Sequence, residues 1–243
     1  MSKNNFHTSV FVALLMFQCL FLSGQTNNTI ENSSDYLKDI KAELNKEWPN
    51  NRTINLVFHG HSVPAGYFNT PNVKTLDSYP YQVLKQLKEL YPYAVINVIN
   101  TSIGGENSIS GEKRFESDVL IHKPEVLFID YALNDRSVGL DKSKEAWEKM
   151  IEKALAKGIK VILLTPSPDQ GENIQYPNAA LEKYAQQIRN LSGKFGVGLV
   201  DSYANFKQVA TSGDTLSTYM AQSNHPNEKG HLLIANEILK YFK

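Results

Sequence analysis

The chain of 243 residues contains little cysteine, no excess of charge of either sign, and only one long apolar run. Its single cysteine, Cys19, lies near the N-terminus, so the remaining residues can form neither a disulfide framework nor a thiol site. The 25 basic and 25 acidic residues cancel, which argues against the broad basic face that nucleic acid requires. We therefore expect no nucleic acid partner.

The long apolar run, Val10 to Leu22, follows a lysine and precedes small residues. This arrangement predicts a signal peptide over residues 1–24, because the run is shorter than a typical membrane span. We therefore expect an exported protein, periplasmic or secreted, without a membrane span once the signal is removed. A lipoprotein anchor at Cys19 is the less favoured alternative, since bulky Gln18 stands where a lipobox has a small residue.

The rest of the chain divides into a lead-in and one domain. Residues 25–50 predict a flexible lead-in and a first helix, because their first part is rich in Asn, Thr and Ser and lacks apolar periodicity. Residues 51–243 are enough for one well-buried core, and they contain no repeat or internal linker that would indicate a second domain.

Short apolar runs alternate with amphipathic stretches along this domain. The apolar runs predict buried strands at 54–58, 95–99, 126–129, 161–164 and 198–200. The amphipathic stretches predict helices at 81–90, 146–156, 181–191 and 232–241. Alternation of this kind implies parallel pairing through right-handed crossovers. The predicted fold class is therefore α/β, a three-layer α/β/α sandwich around a flavodoxin-like parallel five-stranded sheet.

Small and polar residues follow three of the predicted strands. Ser62 follows the first strand, Gly105 the second and Asn134 the third, while His225 lies in the loop before the last helix. Ligands bind beyond the carboxyl ends of the strands in sheets of this type. We therefore expect these four residues to meet at one edge of the sheet.

These residues belong to short motifs that follow one another along the chain. The motifs are Gly60-His61-Ser62, Asn100-Thr-Ser-Ile-Gly-Gly105-Glu, Ala132-Leu-Asn134-Asp135 and Asn224-His225-Pro226. In this order, and over almost the whole mature chain, they resemble the SGNH (GDSL-like) hydrolase family. The resemblance implies the SGNH hydrolase fold and a serine hydrolase that needs neither a metal nor another cofactor.

The resemblance also implies a role for each residue. Ser62 matches the family nucleophile, and His225 is the candidate base that takes the serine proton and returns it to the leaving alcohol. The backbone N–H groups of Ser62 and Gly105 and the side-chain amide of Asn134 are the implied oxyanion hole, which stabilises charge on the attacked carbonyl oxygen.

The chain departs from the family pattern at the catalytic acid. Gln222 stands three residues before His225, where the family has an aspartate. Three explanations are open: a Ser62–His225 dyad oriented by a backbone carbonyl or by the Gln222 oxygen, a distant carboxylate such as Asp201 or Asp135, or an inactive protein. We favour the dyad, because a carbonyl beside the ring can set the histidine tautomer without adding charge.

A metal site is a rival interpretation of His59 and His61. These alternate histidines could share a metal with His225 or His231, but no cysteine or acidic cluster accompanies them. We therefore expect no metal ligands in this chain. His61, next to Ser62, could instead tune the site or touch substrate.

The loops near the motifs are rich in polar and aromatic side chains, which suit sugar hydroxyls and ring faces better than acyl chains. We therefore predict an esterase that removes acetyl or similar small acyl groups, on a small molecule or a polysaccharide. The candidate substrate contacts are His61, Asn107, Asp135 and Arg136. The alternatives are an inactive carbohydrate-binding protein with this fold, and a lipase or acyl thioesterase.

Overall fold

The structure is a computed structural model that describes residues 33–212 and 215–243. The predicted signal peptide, Cys19 and the first part of the predicted lead-in lie outside these residues. The lead-in contributes two short helices, α1 (Ser33–Tyr36) and α2 (Lys38–Leu44). They are fastened to the domain by the Tyr36 hydroxyl, which donates to the Val161 carbonyl at 2.9 Å.

A parallel five-stranded sheet forms the centre of the domain. Its strands are β1 (Thr53–Gly60), β2 (Val95–Asn100), β3 (Val126–Asp130), β4 (Lys160–Leu164) and β5 (Gly198–Val200). The order is β2-β1-β3-β4-β5, and every neighbouring pair is parallel. Strand β2 therefore lies on one side of β1, and the chain crosses over to place β3 on the other side of β1. The gap between β1 and β3 is the topological switch point where such sheets bind ligands.

Longer helices cover both faces of the sheet. In chain order the remaining α-helices of the described residues are α3 (Ser62–Ala65), α4 (Tyr79–Leu90), α5 (Ser108–Lys113), α6 (Phe115–Asp118), α7 (Leu140–Leu155), α8 (Ala180–Phe195), α9 (Ser202–Thr211) and α10 (Glu228–Leu239). None of the helices in the described part of the chain has both the length and the apolar character needed to cross a membrane.

Two separate cores confirm the predicted three layers. Side chains alternate between the faces of a strand. Leu56 and Phe58 of β1 therefore pack into one core with α4 and α10, whereas Val57 packs into the other with α7 and α8. Because β3, β4 and most of β1 are buried on both faces, their sequences are nearly continuous apolar runs that could be located from sequence. The edge strand β2 is partly exposed and includes Asn97, so its apolar residues alone marked it.

Helix starts agree less well with the sequence-based prediction. Helix α7 begins at Leu140 rather than at 146, directly after Gly139, whose φ of 85° lies in the left-handed region. Helix α10 begins at Glu228 rather than at 232, because the side chain of Asn227 accepts a hydrogen bond from the Gly230 amide at 3.2 Å. Helix α9 has no counterpart in the prediction.

Candidate active site

The turn after β1 presents Ser62 at the sheet edge. A Cβ on Gly60 would lie 2.4 Å from the Asp130 carbonyl oxygen, so only glycine allows the strand to pass so close to β3. His61 caps α3, since its Nδ1 accepts a hydrogen bond from the Val63 amide at 3.3 Å. Ser62 is the first residue of α3, and 8% of its surface is exposed.

His225 lies against this serine. Its Nε2 is 2.9 Å from Ser62 Oγ, and its Nδ1 is 2.8 Å from the Phe68 carbonyl oxygen. A carbonyl oxygen only accepts, so Nδ1 must carry the proton and Nε2 must present its lone pair to the serine hydroxyl. Burial lowers the pKa of His225 below its usual 6.5, and the hydrogen bond to Phe68 opposes this only in part. A neutral imidazole aimed at a serine hydroxyl can accept its proton.

Gln222, at the position of the missing acid, does not hydrogen-bond the His225 ring. Its Oε1 accepts from the Thr70 amide at 2.9 Å, and its Nε2 donates to Asn224 Oδ1 at 3.3 Å. The Phe68 carbonyl therefore occupies the partner position at Nδ1, while Gln222 ties the loop that carries Phe68 to the loop that carries His225.

The two carboxylates considered as replacements for the acid are engaged elsewhere. Asp201 caps α9 through the Ala204 amide and is held by the Arg189 guanidinium at 2.7 Å. Asp135 is fully buried, and its oxygens accept three hydrogen bonds of 2.7 Å each. The donors are the Ser108 amide, the Ser143 hydroxyl and the Trp147 indole N–H. None of these contacts includes His225.

Gly105 lies in the loop after β2, and Asn134 begins a short 3-10 helix, Asn134–Ser137, after β3. Gly105 has a φ of 81°, a conformation that favours glycine, and nothing lies within 4 Å of the position where a Cβ would stand. Asn134 Nδ2 donates to the Glu106 carbonyl at 2.8 Å, which fixes the amide against the residue after Gly105. The Nδ2 group carries two hydrogens, so one remains to donate elsewhere.

Of the four candidate substrate contacts, two have no surface to offer a ligand. His61 and Asp135 are both fully buried, which corrects the expectation that either of them touches substrate. Arg136 is partly exposed, but its guanidinium is paired with Asp169 at 2.8 Å and with Glu172 at 2.7 Å. Asn107 caps α5 through its Oδ1, which accepts from two amides of the first turn.

The histidines of the rival metal interpretation do not form a ligand cluster: His61 and His225 both contact Ser62, and the other two have separate partners. His59 lies 2.9 Å from Thr101 Oγ1 and 3.2 Å from the Gly111 carbonyl, and burial lowers its pKa to about 3. His231 accepts from the Tyr79 amide, and burial lowers its pKa to about 3 as well. In residues 33–212 and 215–243 no three His, Cys, Asp or Glu side chains are placed to hold a metal ion together.

Three contacts of the site could not be expected from the sequence. The Phe68 carbonyl is a main-chain group, and any residue type at that position would supply it. Asp130 faces His61 in the interior, and the Tyr79 hydroxyl donates to Asp130, but neither residue belongs to a recognisable motif. The sequence signal for Asp130 is its place directly after the predicted strand 126–129, which in the structure extends to include it.

Comparison with known proteins gives matches over most of the chain. Residues 58–233 match the GDSL-like Lipase/Acylhydrolase family. An acetylxylan esterase from Geobacillus stearothermophilus is 25% identical over 177 residues, which is 67% of this chain and 79% of that protein. The uncharacterized lipoprotein YqeF of Bacillus subtilis (strain 168) is 28% identical over 172 residues, 57% of this chain and 70% of that protein.

Solved structures agree in fold. Axe2, an acetylxylan esterase from Geobacillus stearothermophilus, superposes with a TM-score of 0.69 at 23% identity, over 78% of this chain and 94% of its own. A two-domain esterase (CEX) active on acetylated mannans gives a TM-score of 0.71 at 22% identity, over 85% of this chain and 52% of its own. Solved forms of Axe2 include catalytic mutants of a serine, an aspartate and a histidine, the aspartate three residues before the histidine.

Proposed function

Since the chain belongs to the GDSL-like lipase/acylhydrolase family, the SGNH hydrolases, and is a serine carboxylic ester hydrolase, we propose that it removes acetyl groups from carbohydrate esters. We further propose that a Ser62–His225 dyad performs the reaction. The observation that carries the proposal is the 2.9 Å contact between Ser62 Oγ and His225 Nε2, with Nδ1 on the Phe68 carbonyl at 2.8 Å.

In this mechanism Ser62 Oγ attacks the acetyl carbonyl carbon while its proton moves to His225 Nε2. The carbonyl π electrons move to oxygen and form a tetrahedral oxyanion. The oxyanion collapses, the C–O bond to the sugar breaks, and His225 returns the proton to the departing sugar oxygen. A water molecule then attacks the acetyl-serine with His225 again as base, which releases acetate and restores Ser62.

The oxyanion requires donors that are in place before the charge develops. We assign this role to the backbone N–H groups of Ser62 and Gly105 and to the free hydrogen of Asn134 Nδ2. The hydrogen bond from Asn134 to the Glu106 carbonyl supports the assignment, because it holds the amide in one orientation next to Gly105.

The Phe68 carbonyl supplies only part of what an aspartate would supply. Its dipole fixes the tautomer and accepts a hydrogen bond from the imidazolium that forms during attack, but it brings no full negative charge. The base is therefore oriented as in a triad and stabilised less when protonated. Burial favours the neutral form of His225, so the base is unprotonated before the attack.

Acetylated carbohydrate is the substrate class that the relatives favour. The acetylxylan esterase is a curated relative, and the CEX esterase acts on acetylated mannans. On this chain, the half-buried ring of Tyr67 lies 6.1 Å from the His225 ring and packs against Gly104, so an aromatic face borders the reacting atoms. We propose that the protein is exported, which is supported by the predicted signal peptide and the lipoprotein relative.

The test is acetate release from acetylated xylan and acetylated mannan oligosaccharides, beside a long-chain acyl ester, by the wild type and by Ser62→Ala. We expect Ser62-dependent release from at least one acetylated glycan and little from the long-chain ester. Preference for the long-chain ester would indicate a lipase. Binding of glycans without any turnover would indicate an inactive binding protein, and either result would overturn the proposal.

A further inference from the structure

A second imidazole reaches the nucleophile from inside the protein. His61 Nδ1 lies 3.4 Å from Ser62 Oγ, and the ring is fully buried. Behind it lies Asp130, the last residue of β3, which pairs with Gly60 across the sheet and is only 3% exposed. The proposed dyad does not use either residue.

The contacts of His61 fix its tautomer. Its Nδ1 accepts a hydrogen bond from the Val63 amide, so the proton lies on Nε2. Nε2 faces Asp130 Oδ1 at 3.4 Å, and the other Asp130 oxygen accepts from the Tyr79 hydroxyl at 3.0 Å. Tyr79, Asp130 and His61 therefore form a buried row of polar side chains that ends at the first turn of α3.

The central contact of this chain is within the range of an ion pair but does not meet the geometry of a hydrogen bond. Neither His61 Nε2 nor Asp130 Oδ1 has a hydrogen-bond partner elsewhere in the described residues. Burying an unpaired N–H donor or carboxylate oxygen costs folding free energy. Because these two atoms face each other, we interpret them as an electrostatic pair. The 3.4 Å separation is longer than the roughly 2.7–3.2 Å of an ordinary N–H···O hydrogen bond.

We propose that His61 and Asp130 are positioning residues for Ser62, so that the site carries a carboxylate behind its nucleophile instead of beside its base. This inference rests on the proposed function. Asp130 polarises the Nε2–H bond and strengthens Nδ1 as an acceptor, which fixes the Val63 amide and the start of α3. Ser62 Oγ then lies between two ring nitrogens, of which only His225 Nε2, at 2.9 Å, is close enough to take its proton.

The effect is on alignment rather than on substrate binding, because His61 has no surface to contact substrate. A misplacement of about 1 Å in reacting atoms costs about a hundredfold in rate. His61→Leu, which removes both nitrogens, should therefore lower kcat on 4-nitrophenyl acetate by about a hundredfold with KM nearly unchanged. His61→Asn can still accept from the Val63 amide through Oδ1, and it should recover about a tenth of the wild-type kcat.

Asp130 is expected to act only through His61. Asp130→Asn removes the charge at constant shape and should lower kcat about tenfold in the wild type, but not further in the His61→Leu background. The matched control is His59→Leu, which removes the buried histidine two residues earlier, in β1, where the side chain bonds Thr101 and the Gly111 carbonyl instead of Ser62. We expect this control to lose thermal stability and to keep its kcat.

The inference is overturned if folded His61→Leu keeps kcat near the wild-type value, if His59→Leu loses as much, or if His61→Asn is as slow as His61→Leu. Additive losses for Asp130→Asn and His61→Leu would also overturn it. Should His61→Leu fail to fold, Asp130→Asn alone decides, and an unchanged kcat refutes the proposal. Equal activity of wild type and Ser62→Ala would instead overturn the proposed function itself.

Discussion

Gln222 offers a sensitive test of how His225 is oriented. In the structure its Oε1 holds the Thr70 amide at 2.9 Å, two residues after the Phe68 carbonyl that accepts from the histidine. Gln222→Ala removes this tether but leaves the carbonyl in the chain. We therefore expect a modest loss of activity from a looser loop.

The magnitude follows from the kind of bond that is lost. A neutral, solvent-exposed hydrogen bond is worth about 0.5–1.5 kcal/mol. If all of that energy aligns Phe68, kcat falls between about twofold and about tenfold, since about 1.4 kcal/mol corresponds to a factor of ten. Loss of a true triad acid costs about 10⁴ in kcat, and loss of the base costs on the order of 10⁶ in a serine protease.

The assay is steady-state hydrolysis of 4-nitrophenyl acetate by wild type, Gln222→Ala, Gln222→Glu and His225→Ala, with folding checked by circular dichroism. Gln222→Glu keeps an acceptor for the Thr70 amide and should stay close to the wild type. A folded Gln222→Ala as slow as His225→Ala would refute orientation by the main chain. An equally severe loss for folded Asp201→Asn or Asp135→Asn would show that the acid has moved.

Further expectations concern pH and the oxyanion. The kcat/KM of the wild type should fall on the acid side with a midpoint below 6.5, because burial lowers the pKa of His225 and the base must be neutral; a midpoint above 6.5 contradicts this. Asn134→Ala should lower kcat by about 10²–10³ with a smaller change in KM, whereas a change in KM alone would make Asn134 a substrate contact. Burial lowers the pKa of His59 and of His231 to about 3 in the folded protein. Between about pH 6.5 and pH 5, these two histidines therefore become protonated in the unfolded chain but stay neutral in the folded one. The free energy of unfolding in urea should therefore fall from pH 7 to pH 5, with a slope approaching about 2.7 kcal/mol per pH unit for the pair, and a constant value would contradict this.

The sheet could be predicted because its central strands are buried on both faces and its edge strand β2 is still rich in Val and Ile. The carboxyl end of each strand could then be located, and the residues after β1, β2 and β3 could be expected to meet. His225 could be added only through its resemblance to a family motif. The structure then showed the contact of His225 with Ser62 at 2.9 Å.

The second layer of the site was not predictable. The orientation of His225 depends on the path of the loop that brings the Phe68 carbonyl to its ring. Every residue type has a backbone carbonyl, so the residue at position 68 does not reveal this contact. His61 could be interpreted as a substrate contact from its place beside Ser62, but its side chain is fully buried and its Nε2 faces Asp130. Asp135 follows the motif residue Asn134 in sequence, but its carboxylate points into the interior, where it accepts three hydrogen bonds.

The nucleophile is tested most directly by covalent trapping. The wild type is incubated with a serine-directed phosphonate, and the adduct is located by peptide mass spectrometry beside Ser62→Ala. The account predicts one adduct, on Ser62, that forms with loss of esterase activity and is absent from Ser62→Ala. An adduct on another residue, or full esterase activity in Ser62→Ala, would contradict it.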